Sequence, residues 1–535
     1  MKTITSPMKK LFTCIIILLL FVGAAHAQLI YQPYSYQFYQ KLDNAVYSPS
    51  TNLHTSIKPY LIADSSAIRP LYDSLLLMNE DNTGKSWFYR KLLKQHLIDV
   101  KNKDYTFYAD YLPDLQIGRE FTEPKTVWLN TRGYQLGGTI GSKFFFYTSG
   151  FENQGRFANY ETDYIKNVGM VPGEAYDKSY GKPTKDWSYA TALIGYSPSK
   201  AITIALGDDK TFIGDGYRSV LLSDYASSYP LLRLNINLGK NVQYMAMWAY
   251  MEDQQATQFN SFSNNRRKWA AFHYIDWNIT NRASIGFFNA LIAEEANDLG
   301  QGHGFDVNYI NPVLFVSSLG PAKPAPDHTL LGFNGKYKVL DKTTIYGQLL
   351  FDQASSPDNN SSRSSWQLGF RGSDLFKVNK LNYLFEYNTS KPYTYSNQYP
   401  IVNYTELNEP LADPLGANFK EFVGILNYSI GRFDFQGQIN YAKYGLNNGN
   451  INYGKNILLP DNVNLPSSIG STGQGVATTL KYGEGTISYL LNPKYNLRIE
   501  VGGLIRQETN SLTDTKTAMI TLGLRSTFRE LYHDF

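Results

Sequence analysis

The chain has 535 residues and a formal net charge of +4 at pH 7, so its charge balance is close to neutral for its length. It has no long run of Lys and Arg, and nothing therefore indicates nucleic-acid binding. Aromatic residues make up 15% of the chain, with 42 Tyr and 30 Phe. This excess is typical of the aromatic girdles of a membrane β-barrel, with a Tyr-rich soluble β-sandwich or propeller as the alternative interpretation.

The first 27 residues are predicted to be a cleaved signal peptide. Lysines near the start precede an apolar run over residues 11–22 and a small-residue cleavage site at Ala25-His26-Ala27. The apolar run is shorter than the roughly 20 residues that a spanning helix needs. The single cysteine, Cys14, lies within this segment. After cleavage the chain would therefore contain neither a disulfide nor a thiolate metal site.

Residues 28–103 are expected to form a small helical region in the periplasm, because their apolar residues recur at helical spacing. Three short helices are predicted, near Tyr36 to Val46, Ala67 to Met78 and Lys85 to Val100. A region of about 70 residues has too small a core to be stable alone without support. We therefore expect it to dock on the periplasmic end of the barrel.

From residue 104 to residue 535 the apolar period becomes two, and segments of roughly ten residues alternate with clusters of turn residues. The clearest strand is Ala518 to Phe528, in which every second residue from Ala518 is predicted to face lipid while Arg525 faces inward. The segment from Leu497 to Arg506 repeats this pattern. The fold class predicted is therefore all-β, a transmembrane outer-membrane β-barrel of about 18 antiparallel strands.

Loops and the chain end complete this picture. The final residue, Phe535, is predicted to be the assembly signal, since the outer-membrane assembly machinery commonly recognises a terminal Phe. Long loops on the outer side are predicted at residues 167–186, 253–267, 354–365, 393–419 and 445–475.

Three polar groups are candidates for a binding site. The densest one follows a predicted strand that ends at Leu206. Each group mixes charges with amides, glycines or aromatic rings, a mixture that binds sugars because rings stack on pyranose faces while polar groups bond hydroxyls. Positions that line a barrel lumen or belong to a girdle would show the same mixture. The candidate residues are Arg132, Glu152, Gln154, Asp208, Lys210, Asp215, Arg218, Glu386, Tyr393 and Tyr395.

The sequence offers no catalytic signature. A G-x-S-x-G motif is missing, and the seven His show no zinc-ligand spacing. Carboxylate pairs for glycoside hydrolysis can be chosen, for example Asp352 with Glu386, but 46 acidic residues guarantee such pairs by chance. We therefore predict a protein that is not an enzyme, with no catalytic residue, metal or cofactor.

The stretch from Gly207 to Pro230, above all Phe212-Ile213-Gly214-Asp215-Gly216-Tyr217-Arg218-Ser219, resembles the capsule-assembly Wzi family and, within it, the gliding-motility RemB-like proteins. Asp413 stands where the family pattern leads us to expect His, and Lys391 where it leads us to expect Arg. The supporting blocks, in family order, are His54 to Tyr60, Asn130 to Gly133, Asn311 to Val313, Lys391 to Tyr395 and Pro414 to Phe419.

The resemblance implies a non-enzymatic barrel of about eighteen strands. The Wzi branch implies a surface anchor for capsular polysaccharide, and the RemB-like branch a surface component of gliding or adhesion. A third hypothesis is a diffusion porin tuned by an inward ring of Arg498, Glu500, Arg506 and Arg525. The expected partners are outer-membrane lipid, the assembly machinery, and either surface polysaccharide or gliding and adhesion proteins.

Overall fold

The computed structural model describes residues 29–63, 66–77, 84–256, 258–259, 265–302, 304–311, 327–354 and 362–535. The predicted signal peptide therefore lies outside the described residues. Eighteen antiparallel strands close into one barrel within this part of the chain, which confirms the predicted fold class. None of the described helices is long and apolar enough to cross a membrane.

The barrel strands follow one another around the ring in chain order, and the last pairs with the first, with Leu522 opposite Ile117. A short strand over Ile98–Lys101 pairs with the start of the first strand beside this seam. The strands are β1 (Tyr105–Glu120), β2 (Lys125–Ile140), β3 (Phe144–Arg156), β4 (Lys185–Ser199), β5 (Ile202–Asp209), β6 (Tyr229–Leu238), β7 (Val242–Asp253), β8 (Arg266–Asn278), β9 (Ala283–Glu294), β10 (Asp327–Leu340), β11 (Thr343–Asp352), β12 (Arg363–Gly372), β13 (Leu381–Ser390), β14 (Phe419–Ile430), β15 (Phe433–Leu446), β16 (Val476–Asn492), β17 (Leu497–Thr509) and β18 (Asp514–Ser526).

Alternation along these strands exposes apolar side chains on the outer wall. On β18, Ile520 and Leu522 are 54% and 53% exposed, whereas Thr521 between them is 8% exposed. The prediction for this strand is wrong at its end, because Ser526 and Phe528 do not face lipid. Phe528 follows the strand and packs edge-on against Phe38, with 5.2 Å between ring centroids.

The two ends of the barrel differ in the length of their connections. At one end, here the turn end, strands are joined by short turns such as residues 141–143 and 431–432. At the other, the loop end, the connections include residues 157–184, 391–418 and 447–475. All five predicted long loops overlap connections of the loop end, although residues 257, 260–264 and 355–361 lie outside the described part of the chain.

The helices of the N-terminal region are shorter than predicted. A 3-10 turn over Gln40–Leu42 separates the first two helices, and the third predicted helix ends at Leu93 because the chain then joins the sheet edge at Ile98–Lys101. Met78, the predicted end of the second helix, lies outside the described residues. The helices are α1 (Tyr36–Tyr39), α2 (Asp43–Val46), α3 (Arg69–Leu75) and α4 (Trp87–Leu93).

Residues 29–63, here called the plug, lie inside the barrel, whereas the sequence predicts docking on its end. Tyr31 packs against Tyr147 of the inner wall, with 5.1 Å between ring centroids. Further along the plug, Ile57–Lys58 pairs with Phe212–Ile213. The reason is that the lumen both buries its apolar side chains, such as Tyr31 and Ile57, and supplies partners for its charged groups, such as Arg371 for Asp43.

Two further segments enter the lumen, the lumen loop (residues 210–228) and the tail (residues 527–535). On one side the lumen loop packs its apolar residues against wall residues such as Met247 and Phe272. On the other side the wall presents charged groups, among them Glu421 and Arg525. The barrel interior therefore contains an apolar cluster around Met247 and Phe272 and a charged region around Glu421 and Arg525.

Candidate functional site

Asp215 lies at the contact between the lumen loop and the plug, and it is fully buried. Its carboxylate accepts hydrogen bonds from Ser56 at 3.0 Å and Tyr47 at 3.1 Å, both on the plug. The Lys336 Nζ of β10 lies 3.5 Å away and balances its charge. A buried carboxylate needs such partners, so Asp215 joins plug, lumen loop and wall.

Arg218 and Glu386 form a second buried group beside Asp215. The Arg218 guanidinium donates to Glu421 on β14, with 3.1 Å between Nη2 and Oε1, and its Nη2 lies 3.0 Å from the Asp534 carboxylate of the tail. Glu386 on β13 accepts the backbone N–H groups of Tyr217 at 3.0 Å and Arg218 at 3.1 Å. These predicted residues therefore fasten the lumen loop to the wall and the tail.

Lys210, Tyr393 and Tyr395 also bond to neighbouring segments of the chain. Lys210 donates to the backbone carbonyl of Asp224 at 3.0 Å. The Tyr395 hydroxyl donates to the carbonyl of Val220 at 2.7 Å, and the Tyr393 hydroxyl donates at 2.7 Å to a carbonyl in the β15–β16 connection. Their polar groups therefore hold segments of the loop-end connections together.

The remaining predicted residues lie on the outer wall, away from this network. Arg132 on β2 and Glu152 on β3 are exposed and directly opposite one another. Gln154 donates to Asp186 at 3.1 Å on the same wall. Asp208 is half-buried at the loop end of β5. The structure thus brings Asp215, Arg218 and Glu386 together but does not unite the predicted residues in one site.

The loop end carries an open cleft of about 740 Å³ that none of those ten residues lines. Its size falls within the roughly 300–1,000 Å³ of small-molecule sites. One wall is helix α5 (Asn159–Val168) in the β3–β4 connection. Glu161 accepts the backbone N–H of Ala158 at 3.2 Å and caps its start, while Gly169, with φ of 85°, ends it.

Aromatic rings form the floor of the cleft. Tyr160 and Tyr164 are half-buried and lie four residues apart, on one face of α5. Their ring centroids lie 5.7 Å and 4.6 Å from that of Phe535. The Arg506 guanidinium covers the Tyr160 ring at 4.6 Å and donates to Glu508 at 2.7 Å. Rings and donors are therefore held in fixed positions.

Polar side chains surround these rings. Asp163 and Asn167 are exposed on α5, and Asn456 is exposed in the β15–β16 connection. Lys455 lies over the Tyr444 ring at 4.6 Å, and burial lowers the pKa of Lys455 to about 8 although neighbouring carboxylates oppose this shift. Flat rings that pack on the C–H faces of a pyranose, beside amides and carboxylates that bond its hydroxyls, make a surface suited to sugars.

Sequence reasoning missed this cleft, although the Tyr160–Tyr164 spacing followed by Gly169 is a helix signal within a β-rich region. Phe535, the predicted assembly signal, is the last residue of the tail that follows β18, and it lies on the floor of the cleft. Its role in assembly stays a prediction. In the described residues, no group of three or more His, Cys, Asp or Glu side chains is arranged to hold a metal ion.

No protein-family model and no curated protein matches this sequence. Among solved structures, the chain is similar to Wzi of Escherichia coli, described as an outer membrane protein involved in group 1 capsule assembly and a carbohydrate-binding β-barrel. The identity is 14% and the TM-score 0.54, over 94% of this chain and 100% of that chain. OprD of Pseudomonas aeruginosa matches at 9% identity and a TM-score of 0.41, over 78% and 94% of the two chains. The comparison shows a Wzi-like outer-membrane barrel fold.

Proposed function

We propose that this protein is a non-enzymatic outer-membrane barrel that binds capsular or exopolysaccharide in the loop-end cleft and so attaches it to the cell. The observation that carries the proposal is the floor of Tyr160, Tyr164 and Phe535, surrounded by amides and carboxylates. The carbohydrate-binding description of the similar Wzi barrel supports it. Export by the predicted signal peptide would place the long loops, and hence the cleft, on the cell surface.

The filled lumen favours surface binding over passage of solutes. A diffusion porin needs a polar, water-filled channel. Here the plug, the lumen loop and the tail occupy the lumen. The charges expected to line a pore pair with one another: Arg498 donates to Glu500 at 2.7 Å, and Arg525 lies 3.0 Å from Glu500. These charges are therefore used to stabilise the interior.

A component of gliding or adhesion, as in the RemB-like branch, is the alternative, since the long connections 391–418 and 447–475 also offer a surface for proteins. Deletion in the source bacterium separates the two functions. A mutant that sheds its capsule but spreads normally on agar supports the polysaccharide anchor. A mutant that keeps its capsule but stops spreading supports motility.

The binding site is tested with the refolded barrel on arrays of neutral and acidic bacterial polysaccharides. We expect Tyr160→Ala and Tyr164→Ala each to weaken binding about two- to tenfold, because each loses roughly 0.5–1.5 kcal/mol of ring contact. Tyr180→Ala is the matched control, since Tyr180 lies in the same connection but is 93% exposed. Undiminished binding by the double Tyr160/Tyr164 variant would exclude the cleft as the binding site. Shortened polysaccharide chains after incubation with the barrel would show that the protein is an enzyme.

A further inference from the structure

The outer wall carries a basic patch at the loop end of β14–β16, formed by Lys420, Lys443 and Lys481. All three side chains are exposed. Lys420 and Lys443 are directly opposite one another on neighbouring strands. Lys481 is opposite Tyr441, which places it diagonal to Lys443 on the next strand. Diagonal neighbours on one face of a sheet lie about 7–8 Å apart, so the three ammonium groups share one small area.

This arrangement is unfavourable unless an anion is present. Like charges directly opposite in a sheet repel each other. No ion pair within the described residues includes any of the three lysines. Lys443 makes a cation–π contact, with its Nζ 5.8 Å from the centroid of the Tyr441 ring. The outward carboxylate on β14–β18 is Asp514, which pairs with Lys516 at 3.5 Å. The glutamates of these strands point inward, namely Glu421, Glu484, Glu500 and Glu508.

The patch borders the lipid-facing surface. Phe422 lies two residues from Lys420 on β14, and Tyr441 lies two residues from Lys443 on β15, both towards the turn end. Their side chains are 57% and 40% exposed on the outer wall. Aromatic rings at such positions mark the level where acyl chains give way to headgroups, and lysines beside them extend to the headgroup layer. The patch therefore lies on the outer wall of the barrel at the level of the lipid headgroups, outside the cleft.

We propose that Lys420, Lys443 and Lys481 bind the phosphate groups of a phosphorylated lipid in the leaflet at the loop end. Three adjacent cations fit a headgroup that carries more than one phosphate, because each ammonium group is a mobile donor to phosphate oxygens. This lipid contact is separate from the proposed glycan binding, since the two use different faces of the barrel. It would fix the height and tilt of β14–β16 in the bilayer.

The test is a titration of the purified barrel in detergent with a bis-phosphorylated glycolipid, lipid A, followed by native mass spectrometry. We expect the wild type to bind lipid A well above phosphatidylcholine, and salt to weaken that binding. Each Lys→Gln substitution should weaken it about fivefold, and K420Q/K443Q/K481Q about 100-fold. The matched control K240Q/K377Q/K380Q removes the same charge from exposed turn-end residues and should bind as the wild type does.

Equal binding by wild type and triple variant, or an equal loss in the control, would overturn the proposal. Inorganic phosphate at equimolar concentration should not displace the lipid; full displacement would mean a phosphate site without lipid recognition. A dimer of the wild type that disappears in the triple variant would assign the face to a second copy. Heat-modifiable gel mobility verifies folding, and the single substitution Lys443→Gln serves if the triple variant does not fold.

Discussion

Asp43→Asn should release the plug from the barrel wall. Asp43 of α2 and Arg371 of β12 are buried, with Nη2–Oδ1 and Nη2–Oδ2 distances of 2.8 and 2.7 Å. Arg371 also donates to the backbone carbonyl of Asp215 at 2.6 Å, so it holds the plug and the lumen loop together. An amide at residue 43 cannot accept at both atoms, and it leaves the guanidinium buried without a counter-charge.

Loss of one partner of a buried ion pair costs about 3–5 kcal/mol, which corresponds to a roughly 150- to 5,000-fold larger population of the opened plug. Native-state proteolysis measures this population, because cleavage within residues 29–63 follows the open fraction when closing is fast. The double variant with Asp43→Leu and Arg371→Met should recover much of the protection, since no unpaired charge remains.

Lys41→Gln is the control on the same stretch of chain. Lys41 lies 3.1 Å from Asp434, which also accepts hydrogen bonds from Asn427 and Ser429, so loss of the lysine leaves that carboxylate with partners and should cost less than Asp43→Asn does. Cleavage of the Asp43→Asn variant within fivefold of the wild-type rate would refute the reasoning, as would an equal effect of Lys41→Gln.

Two more predictions concern the tail and the lumen. Although burial lowers the pKa of His533, its 2.7 Å hydrogen bond to Glu161 and that carboxylate's charge raise it to about 9. Because this pKa is raised, the pair stabilises the fold fully below pH about 6.5 and loses this effect as the pH rises through about 9. The melting temperature in detergent should therefore fall between these two pH values. In the His533→Gln variant the melting temperature should depend less on pH over the same range. In planar bilayers we expect almost no current from the wild type and clear steps after deletion of residues 29–63; a wide, steady wild-type channel would contradict the filled lumen.

Strands near the chain end were predictable because one face is apolar and the other charged, as in β17 with Ile499 outward and Glu500 inward. The interior was not, because its contacts are remote in sequence. Asp43 and Arg371 are 328 positions apart, and neither has a local signal of its partner. Helix periodicity located α1 and α2 but could not say that this apolar segment enters the lumen.

The candidate site was only partly predictable for a related reason. Asp215, Arg218 and Glu386 do come together, yet a polar network that seals a lumen and one that binds a ligand use the same residue types. The cleft depends on Tyr160 and Tyr164 meeting Phe535, which no local pattern indicates. The Wzi-like barrel is shown by the comparison, whereas the RemB-like branch stays a prediction.

The apolar cluster between the lumen loop and the wall bears on how the strands pair in the correct register during folding. On β7, Met247 points inward and Trp248 points outward, and both side chains are apolar. A shift of the strand register by one residue would therefore replace one apolar side chain with another on each face of the wall. Hydropathy alone thus specifies the register of this strand only weakly. Steric fit specifies the register further. A Cβ atom added to Gly332 of β10 would lie 2.4 Å from the Leu221 side chain of the lumen loop, so a glycine is required opposite this leucine. This contact therefore helps to specify the register of β10 with its neighbours, so a segment inside the barrel contributes to the alignment of strands that face the membrane.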